Sequence, residues 1–149
     1  MTAMPPSLKS RALRLLSTRE HSRSELQSKL RPHAQSPDAL AQVLDELQAK
    51  GFINEQRVLE SVLHRRAVKL GVSRIRKELL AKGLEPAAIS QAVNQLRESE
   101  LARAREVWRK RFGKQPLDAT ERAKQMRFLA SRGFCGDTIR RIVSGSDDD

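Results

Sequence analysis

Residues 73–96, SRIRKELLAKGLEPAAISQAVNQL, decide the fold, because their apolar pattern also occurs 49 residues earlier in the chain. The corresponding pairs are Leu26 and Ile75, Leu30 and Leu79, Pro37 and Pro86, Leu40 and Ile89, Leu44 and Val93, and Leu47 and Leu96. The later run recurs in part at a spacing of 50, where the counterparts of Leu79, Gly83, Ile89 and Val93 are Leu129, Gly133, Ile139 and Val143. Such a period is typical of stacked helical modules that present an extended surface to a partner.

Capping residues and glycines divide the chain into nine expected helices. Ser22 with Glu25 forms a capping box, and Ser36 before Pro37 marks a second helix start. The expected helices are 8–17, one from about 23, one from 37 to Gly51, one from Asn54 to Gly71, one capped by Ser73 and ending at Gly83, one from Pro86, one from Ser99 to Phe112, one capped by Asp118 or Thr120 and ending at Gly133, and one capped by Asp137 and ending near Gly145.

Composition and periodicity predict an all-α fold, because leucine and alanine are abundant and only 3% of the residues are aromatic. We expect three tandem three-helix repeats, related to helix-turn-helix packing, in an elongated and curved molecule. The expected repeats are 1–56, 57–98 and 99–145, followed by a disordered acidic tail, 146–149. The predicted core comprises Leu26, Leu30, Leu40, Leu44, Ile75, Leu79, Ile89, Val93, Leu129 and Ile139.

The helix expected at 99–112 has two different faces. Its apolar stripe consists of Leu101, Ala104, Trp108 and Phe112. Its outward face consists of Arg103, Glu106 and Lys110. Trp108 is therefore predicted to lie in the core.

Basic side chains are concentrated in the second and third repeats. Residues 57–98 carry nine basic and four acidic groups, residues 99–145 carry twelve and five, and residues 1–56 carry eight and six. The whole chain has a formal net charge of +11. Such a charge favours a polyanionic partner, which could be a nucleic acid, a nucleoprotein or an acidic protein groove. The alternative interpretation is a solvated helical surface.

No sequence motif supports catalysis, a metal or a cofactor. Gly113-Lys114 is followed by Gln115 and lacks the upstream glycine of a phosphate-binding loop, and no H-E-x-x-H pattern occurs. The three histidines, which lie far apart in polar surroundings and are expected to be exposed, are His21, His33 and His64. We therefore predict a protein that is not an enzyme and that needs no cofactor.

The sequence carries no sign of membrane insertion or export. Its longest apolar run falls far short of the roughly 20 residues that a membrane-spanning helix needs. The first residues lack the apolar segment of a signal peptide. The single cysteine, Cys135, excludes an internal disulfide and suits a small residue near a helix start. We expect a cytoplasmic protein.

Three blocks of the chain resemble the RecX family of regulatory proteins. The central block is GFINEQRV at 51–58, followed by Arg65-Arg66, Lys69-Leu70-Gly71 and RIRKELLAKGL at 74–84. An N-terminal block, STREHSRSEL at 17–26, resembles the start of the family pattern. A C-terminal block resembles its end and comprises KQMRFL at 124–129, RGF at 132–134 and Ile139.

The resemblance implies a non-enzymatic regulator of RecA, the bacterial recombinase that polymerises on single-stranded DNA. Proteins of this family typically lodge along the helical groove of the RecA filament. They suppress its ATP hydrolysis, strand exchange and co-protease activity. The implied partners are RecA and its filament, with nucleic acid contacted through a basic surface, and we expect a monomer that does not bind a membrane.

Outward-facing basic residues are the candidate contacts to such a partner. On the helix at 73–83, a wheel with Ile75 and Leu79 inward places Arg74 and Lys77 outward and Arg76 at the flank. The candidates for binding RecA or DNA are Arg65, Arg66, Lys69, Arg74, Arg76, Lys77, Lys82, Arg109, Lys110, Arg111, Lys114, Arg127, Arg140 and Arg141. For each of them, a solvated structural charge is the alternative.

Two functions of different class remain open at this point, besides a third and weaker one, that of a structural adaptor for another acidic protein assembly. One is a regulator directed at the RecA filament, and the other is a stand-alone helical module that binds DNA without sequence preference. Reading of bases is disfavoured, because only the last helix, with Arg140 and Arg141, carries suitable side chains near its start. Dispersed lysines and arginines suit contacts to the phosphate backbone instead.

Overall fold

Eight α-helices make up the computed structural model, which describes residues 5–145. They are α1 (Leu8–Thr18), α2 (Arg23–Leu30), α3 (Pro37–Ala49), α4 (Glu55–Arg66), α5 (Val72–Ala81), α6 (Pro86–Arg111), α7 (Ala119–Ser131) and α8 (Gly136–Val143). A 3-10 turn, Arg31–His33, follows α2. No strand occurs between residues 5 and 145, so the all-α prediction is confirmed. The predicted acidic tail, 146–149, lies outside the described residues.

The chain divides into two units. The first contains the chain up to Ser61 together with Lys82–Leu84, and the second contains Val62–Ala81 and the chain from Glu85 onward. Helices α1, α2 and α3 pack against one another in the first unit. Their buried core consists of Ala12, Leu26, Leu30, Leu40, Leu44, Leu47 and Ile53.

In the second unit, α6 packs against α5, α7 and α8. One core cluster there consists of Ala104, Leu129, Phe134, Ile139, Ile142 and Val143. Trp108 packs against this cluster as predicted, and its indole N–H donates a hydrogen bond to Gln125 Oε1 at 2.8 Å. Ile75, Leu79, Ile89 and Val93 are also buried. All ten residues of the predicted core are therefore confirmed as buried.

Most helix starts follow the local capping signals. The capping box of Ser22 and Glu25 is present, and the Ser36 hydroxyl accepts a hydrogen bond from the Ala39 N–H. Asp118 caps α7 and Asn54 caps α4 through their side-chain oxygens. Each of these side chains satisfies a backbone N–H that has no partner within its own helix.

Two predicted caps are wrong. Helix α5 begins at Val72, one residue before Ser73, and the Val72 N–H donates to the Glu100 carboxylate. Helix α8 follows an N-cap at Cys135, and Asp137 lies in its first turn. Because the acceptor for the Val72 N–H comes from 28 residues away, no local pattern could reveal it.

Helix α6 replaces two of the expected helices. It runs unbroken through 26 residues, whereas the sequence predicts a new helix at Ser99. The Ser99 hydroxyl donates to the carbonyl of Leu96 within the helix and accepts from Arg103 Nε at 3.0 Å. Serine can bond back to the preceding turn in this way, so here it continues the helix instead of capping a new one.

The predicted outward position of Arg103 is also wrong. Its guanidinium donates hydrogen bonds to the carbonyls of Ala67 and Leu70 at 2.9 and 2.8 Å. These carbonyls belong to the turn that follows α4, which ends at Arg66 and not at the predicted Gly71. Arg103 therefore stabilises the turn that connects α4 to α5.

A glycine turn at the end of α7 meets the start of α5 in the second unit. The N–H groups of Gly71 and Ser73 donate to the carbonyls of Arg132 and Gly133, at 2.8 and 3.2 Å. Gly133 has a φ of +90°, and a Cβ on it would lie 2.6 Å from the backbone nitrogen of Arg74. Gly133 is therefore required both by its own conformation and by the approach of α5.

The first unit contains the equivalent contact one repeat earlier. Gly83 has a φ of +73°, and a Cβ on it would lie 2.7 Å from the Cβ of Ser24. The hydroxyl of Ser22 donates to the carbonyl of Lys82 at 2.6 Å. Gly83 and Gly133 are 50 residues apart, so the repeat preserves a contact between a glycine turn and a helix start.

His21 is buried between α1 and α2, so the prediction that it is exposed is wrong, whereas His33 and His64 are exposed as predicted. Its Nδ1 lies 3.1 Å from the carbonyl oxygen of Arg19, and its Nε2 lies 3.2 Å from Lys29 Nζ. A neutral ring fits these partners by donating at Nδ1 and accepting from the Lys29 ammonium at Nε2. Burial lowers the pKa of His21, and the charges of Arg19 and Lys29 lower it further.

Alanine at Gly133 should destabilise the protein more than alanine at Gly51. Both glycines have positive φ, which costs alanine roughly 1 kcal/mol, but only Gly133 faces a neighbouring backbone. Nothing lies within 4 Å of a Cβ at Gly51. Urea unfolding followed by circular dichroism would compare Gly133→Ala with Gly51→Ala. Equal losses of stability would contradict a close approach at Gly133.

Acid should weaken the folded state through His21. Because its folded pKa lies below the unfolded value, the contribution of neutral His21 is complete above about pH 6.5 and is lost as the pH falls through the folded pKa. The free energy of unfolding, measured in urea from about pH 7.5 to 5.5, should fall less steeply in His21→Gln than in the wild type. His33→Gln should retain the wild-type slope. Identical slopes for all three proteins would exclude this role of His21.

Candidate polyanion-binding site

Helix α5 carries the three basic residues that the sequence places first. Ile75 and Leu79 are fully buried, whereas Arg74, Arg76 and Lys77 are exposed, as the helical wheel predicts. These side chains line two grooves of the second unit, and a third groove is lined by side chains that include Lys110 and Arg111 of α6 and Phe128 of α7. Clustering in grooves is a property of the fold that the sequence pattern does not reveal.

The first of these, the Arg76 groove, is a cavity of about 600 Å³. Its lining consists of Val72, Ser73, Arg76, Lys77, Leu80, Arg97, Glu100, Gly133, Cys135 and Thr138. Arg97 on α6, which the sequence reasoning missed, is the third exposed cation of this groove, beside Arg76 and Lys77. Its only signal was an outward position on the helix next to buried Leu96. Leu80, which is 52% exposed, adds an apolar surface beside these charges.

Glu100 is the acidic residue of this groove, but its carboxylate is buried and hydrogen-bonded within the protein. The side chain is 4% exposed, and its two oxygens accept hydrogen bonds from the Val72 N–H at 3.0 Å and from the Thr138 hydroxyl at 3.3 Å. Burial lowers the pKa of nearby Arg103, and the charge of Glu100 opposes that shift. The three cations of the Arg76 groove form no ion pair with an acidic side chain within residues 5–145.

The second, the Phe128 groove, has a volume of about 350 Å³. Its lining consists of Val68, Lys69, Glu106, Val107, Lys110, Arg111, Phe128 and Arg132. Three predicted candidates, Lys69, Lys110 and Arg111, therefore lie together, and Arg132 is a member that the sequence reasoning missed. The guanidinium carbons of Arg111 and Arg132 lie 5.2 and 5.0 Å from the centroid of the Phe128 ring.

The third, the Arg74 groove, is lined by Arg66, Leu70, Arg74, Lys77, Glu78 and Ala81. Lys77 also lines the Arg76 groove, so the two share one cation. Arg66 pairs with Glu78 at 3.2 Å, and Arg74 donates to the carbonyl of Ser131 at 2.7 Å. Both guanidinium groups thus have partners within the protein. Lys77, in contrast, forms no ion pair with an acidic side chain within residues 5–145.

Seven candidates lie outside these grooves. Lys82 pairs with Glu25 at 3.3 Å with 12% of its side chain exposed. Burial raises the pKa of Glu25, but hydrogen bonds from Arg19 and Ser22 and the charge of Lys82 outweigh this and bring the pKa down to about 2. Lys82 therefore forms a structural ion pair within the first unit. The remaining candidates outside the grooves are Arg65, Arg109, Lys114, Arg127, Arg140 and Arg141.

Some of the exposed cations form ion pairs on their own helix. Arg109 pairs with Glu106, and Arg140 pairs with Asp137. The hydrogen bond and charge of Arg109 lower the pKa of Glu106. Exposed pairs of this kind contribute at most about 1 kcal/mol, so an anionic ligand can displace them at small cost.

No cluster of metal ligands and no membrane-spanning helix is found in the part of the chain that the structure describes. No three histidine, cysteine, aspartate or glutamate side chains gather there as metal ligands. No helix in the described part has the length and apolar character required to span a membrane. A separate cavity in the first unit lies beside Leu40 and Leu44 and contains none of the predicted candidates.

Comparisons with known proteins agree on one family. A model described as the first three-helix domain of RecX matches residues 9–47, and one described as its third three-helix domain matches residues 98–143. The regulatory protein RecX of Leptothrix cholodnii is 54% identical over 141 residues, covering 95% of this chain and 90% of that protein. The RecX protein of Ralstonia nicotianae is 48% identical over 143 residues, covering 96% and 90%.

A solved structure shares the fold. The crystal structure of RecX from Lactobacillus salivarius superimposes with a TM-score of 0.71 at 23% identity and covers 94% of both chains. A second crystal structure, of a regulatory protein RecX, has a TM-score of 0.76 at 21% identity and covers 93% of this chain and 72% of the other.

Removing the Glu100 side chain should destabilise the second unit. Glu100→Ala leaves the buried Val72 N–H without its acceptor, which costs about 1–3 kcal/mol. Glu100→Gln should lose less, because its amide oxygen can still accept that hydrogen bond. Glu98→Ala, an exposed change on the same helix, is the control. Urea unfolding measures all three, and a Glu100→Ala protein as stable as the control would contradict the capping role.

Proposed function

Because the chain belongs to the RecX family of regulatory proteins, we propose that it binds the RecA recombinase and the filament that RecA forms on single-stranded DNA. In this proposal, binding inhibits the ATP hydrolysis, strand exchange and co-protease activity of RecA. The observation that carries it is 54% identity to a protein named regulatory protein RecX over 95% of this chain. The chain would act in the cytoplasm, as a monomer and without catalysis.

The basic grooves of the second unit support an anionic target. The Arg76 groove combines three exposed cations with the exposed side chain of Leu80, and the Phe128 groove contains four more cations. A filament built on a polyphosphate strand would offer many weak contacts to such a surface. Weak contacts made together by one molecule add up to useful affinity. We further propose the division into repeats at 1–56, 57–98 and 99–145 as the arrangement that presents this surface.

A second function, that of a stand-alone DNA-binding module, is supported by the net charge of +11 and by the dispersal of that charge over several helices. Such a module would bind DNA through its phosphates and would affect RecA only by competing for the strand. The two functions therefore differ in whether excess DNA relieves the effect on RecA.

We expect the chain to inhibit RecA ATP hydrolysis on saturating single-stranded DNA when it is present at well below one copy per RecA. When single-stranded DNA is in excess, RecA and this chain do not compete for it, so inhibition cannot be explained by loss of RecA from the DNA. The variant Arg76→Gln/Lys77→Gln/Arg97→Gln should require a roughly tenfold higher concentration, since three exposed ion pairs at roughly 0.5 kcal/mol each amount to about 1.5 kcal/mol.

The matched control is Arg14→Gln/Arg122→Gln/Lys124→Gln, which removes the same charge from exposed positions outside the three grooves. It should inhibit like the wild type. If the wild-type chain leaves RecA unaffected yet binds DNA in a salt-sensitive manner, the regulatory function is wrong and the DNA-binding module remains.

A further inference from the structure

The Arg76 groove combines positive charge with an exposed aliphatic side chain. Its three cations, Arg76, Lys77 and Arg97, form no ion pair with an acidic side chain in the described part of the chain. Leu80 lies about one helical turn after Arg76 on α5, lines the same groove and is 52% exposed. Cations and an apolar surface therefore lie side by side in a cavity of about 600 Å³.

The internal repeat indicates that the fold does not require these four side chains. In the first unit, α2 packs against α3 as α5 packs against α6 in the second. The counterparts of Arg76, Lys77, Leu80 and Arg97 at a spacing of 49 are Gln27, Ser28, Arg31 and Gln48, all exposed. The position of Leu80 thus accepts a charged residue in one repeat and has an aliphatic one in the other. Packing of the repeat alone does not explain an exposed leucine among three cations.

We propose that the Arg76 groove binds an acidic segment of a partner protein, with an aliphatic side chain of that segment against Leu80 and its flanking carboxylates on the three cations. Guanidinium groups such as those of Arg76 and Arg97 can hold a carboxylate through two parallel hydrogen bonds. An aliphatic side chain against Leu80 removes apolar surface of both partners from water and leaves no polar group without a hydrogen bond.

Nucleic acid is the competing occupant of this groove. Its phosphates would pair with the same three cations, so charge alone does not distinguish the two. None of the described residues that line the groove is aromatic, so an unpaired base would find no ring on which to stack. The polar edge of a base placed against Leu80 would lose hydrogen bonds to water. Leu80 therefore favours a protein segment.

This inference deepens the proposed function, on which it rests for the identity of the partner, by assigning the Arg76 groove to protein contacts in a nucleoprotein filament. Cys135 offers a local reporter of occupancy. It is the single cysteine of the chain, it is exposed, and it lines this groove. A segment bound in the groove should therefore shield its thiol.

The test measures, by mass spectrometry, how fast the neutral reagent N-ethylmaleimide alkylates Cys135 in the full chain. The probes are two peptides capped at both ends, EELEE and EESEE, and an oligothymidine of equal charge. EELEE should slow the reaction at an about tenfold lower concentration than EESEE, because only its leucine packs against Leu80. Since the two peptides carry the same charge, any electrostatic effect on ionisation of the thiol is the same for both.

Two variants separate the apolar contact from the charges. Leu80→Gln should abolish the difference between the peptides, whereas Leu117→Gln, which removes a 96% exposed leucine outside the groove, should retain it. Arg76→Gln/Arg97→Gln should raise the required concentration of both peptides severalfold. Arg14→Gln/Arg122→Gln removes the same charge from exposed positions elsewhere and should have a smaller effect.

Three results would overturn the inference. They are equal protection, or none, of Cys135 by the two peptides, a peptide difference that persists in folded Leu80→Gln, and protection by oligothymidine at a lower concentration than by EELEE. RecA inhibition by the wild type is measured separately. Inhibition retained with any of these three results removes the groove assignment alone. Absent inhibition together with the expected peptide difference contradicts the proposed function alone.

Discussion

The second unit depends on one close contact, in which the glycine turn after α7 lies against the first turn of α5. Two backbone hydrogen bonds, from Gly71 and Ser73, hold this contact, and a side chain at Gly133 would collide with Arg74. The same contact positions charges, because Arg132 accepts one of these hydrogen bonds through its carbonyl while its guanidinium lies over Phe128. A change at the glycine turn would therefore alter both the packing of the unit and the Phe128 groove.

Helix α6 stabilises the neighbouring connection with two charges of opposite sign. Glu100 accepts from the Val72 N–H at the start of α5, and Arg103 donates to the carbonyls of Ala67 and Leu70 in the preceding turn. Glu100 and Arg103 are three residues apart on a continuous helix, so they lie on nearly the same face and can both reach this turn. A break in α6 at Ser99 would disturb that relation. The fold therefore requires the single long helix.

The parts of the fold that were predictable are those that local spacing specifies. The ten core residues, the capping box of Ser22 and Glu25, and the positive φ of Gly83 and Gly133 follow from patterns within about ten residues or from the repeat itself. The errors concern polar side chains that the fold buries. The polar surroundings of His21 and the helical wheel at Arg103 both predict exposure, yet hydrogen bonds within the protein satisfy buried His21 and half-buried Arg103. Arg97 and Arg132 likewise join the candidate grooves only through packing.

Two cations of the Phe128 groove also have a structural role, which bears on how a ligand can use them. Lys110 and Arg111, together with neighbouring Arg109, occupy the last turn of α6, where positive charge interacts favourably with the helix dipole. That interaction requires only that the positive charge stay near the helix end, so it is compatible with an anion bound to the same side chain. The exposed ion pair between Arg109 and Glu106 contributes at most about 1 kcal/mol to stability, so an anion can displace Glu106 at small cost. The same arginines and lysines can therefore stabilise the free protein and remain available to a polyanion.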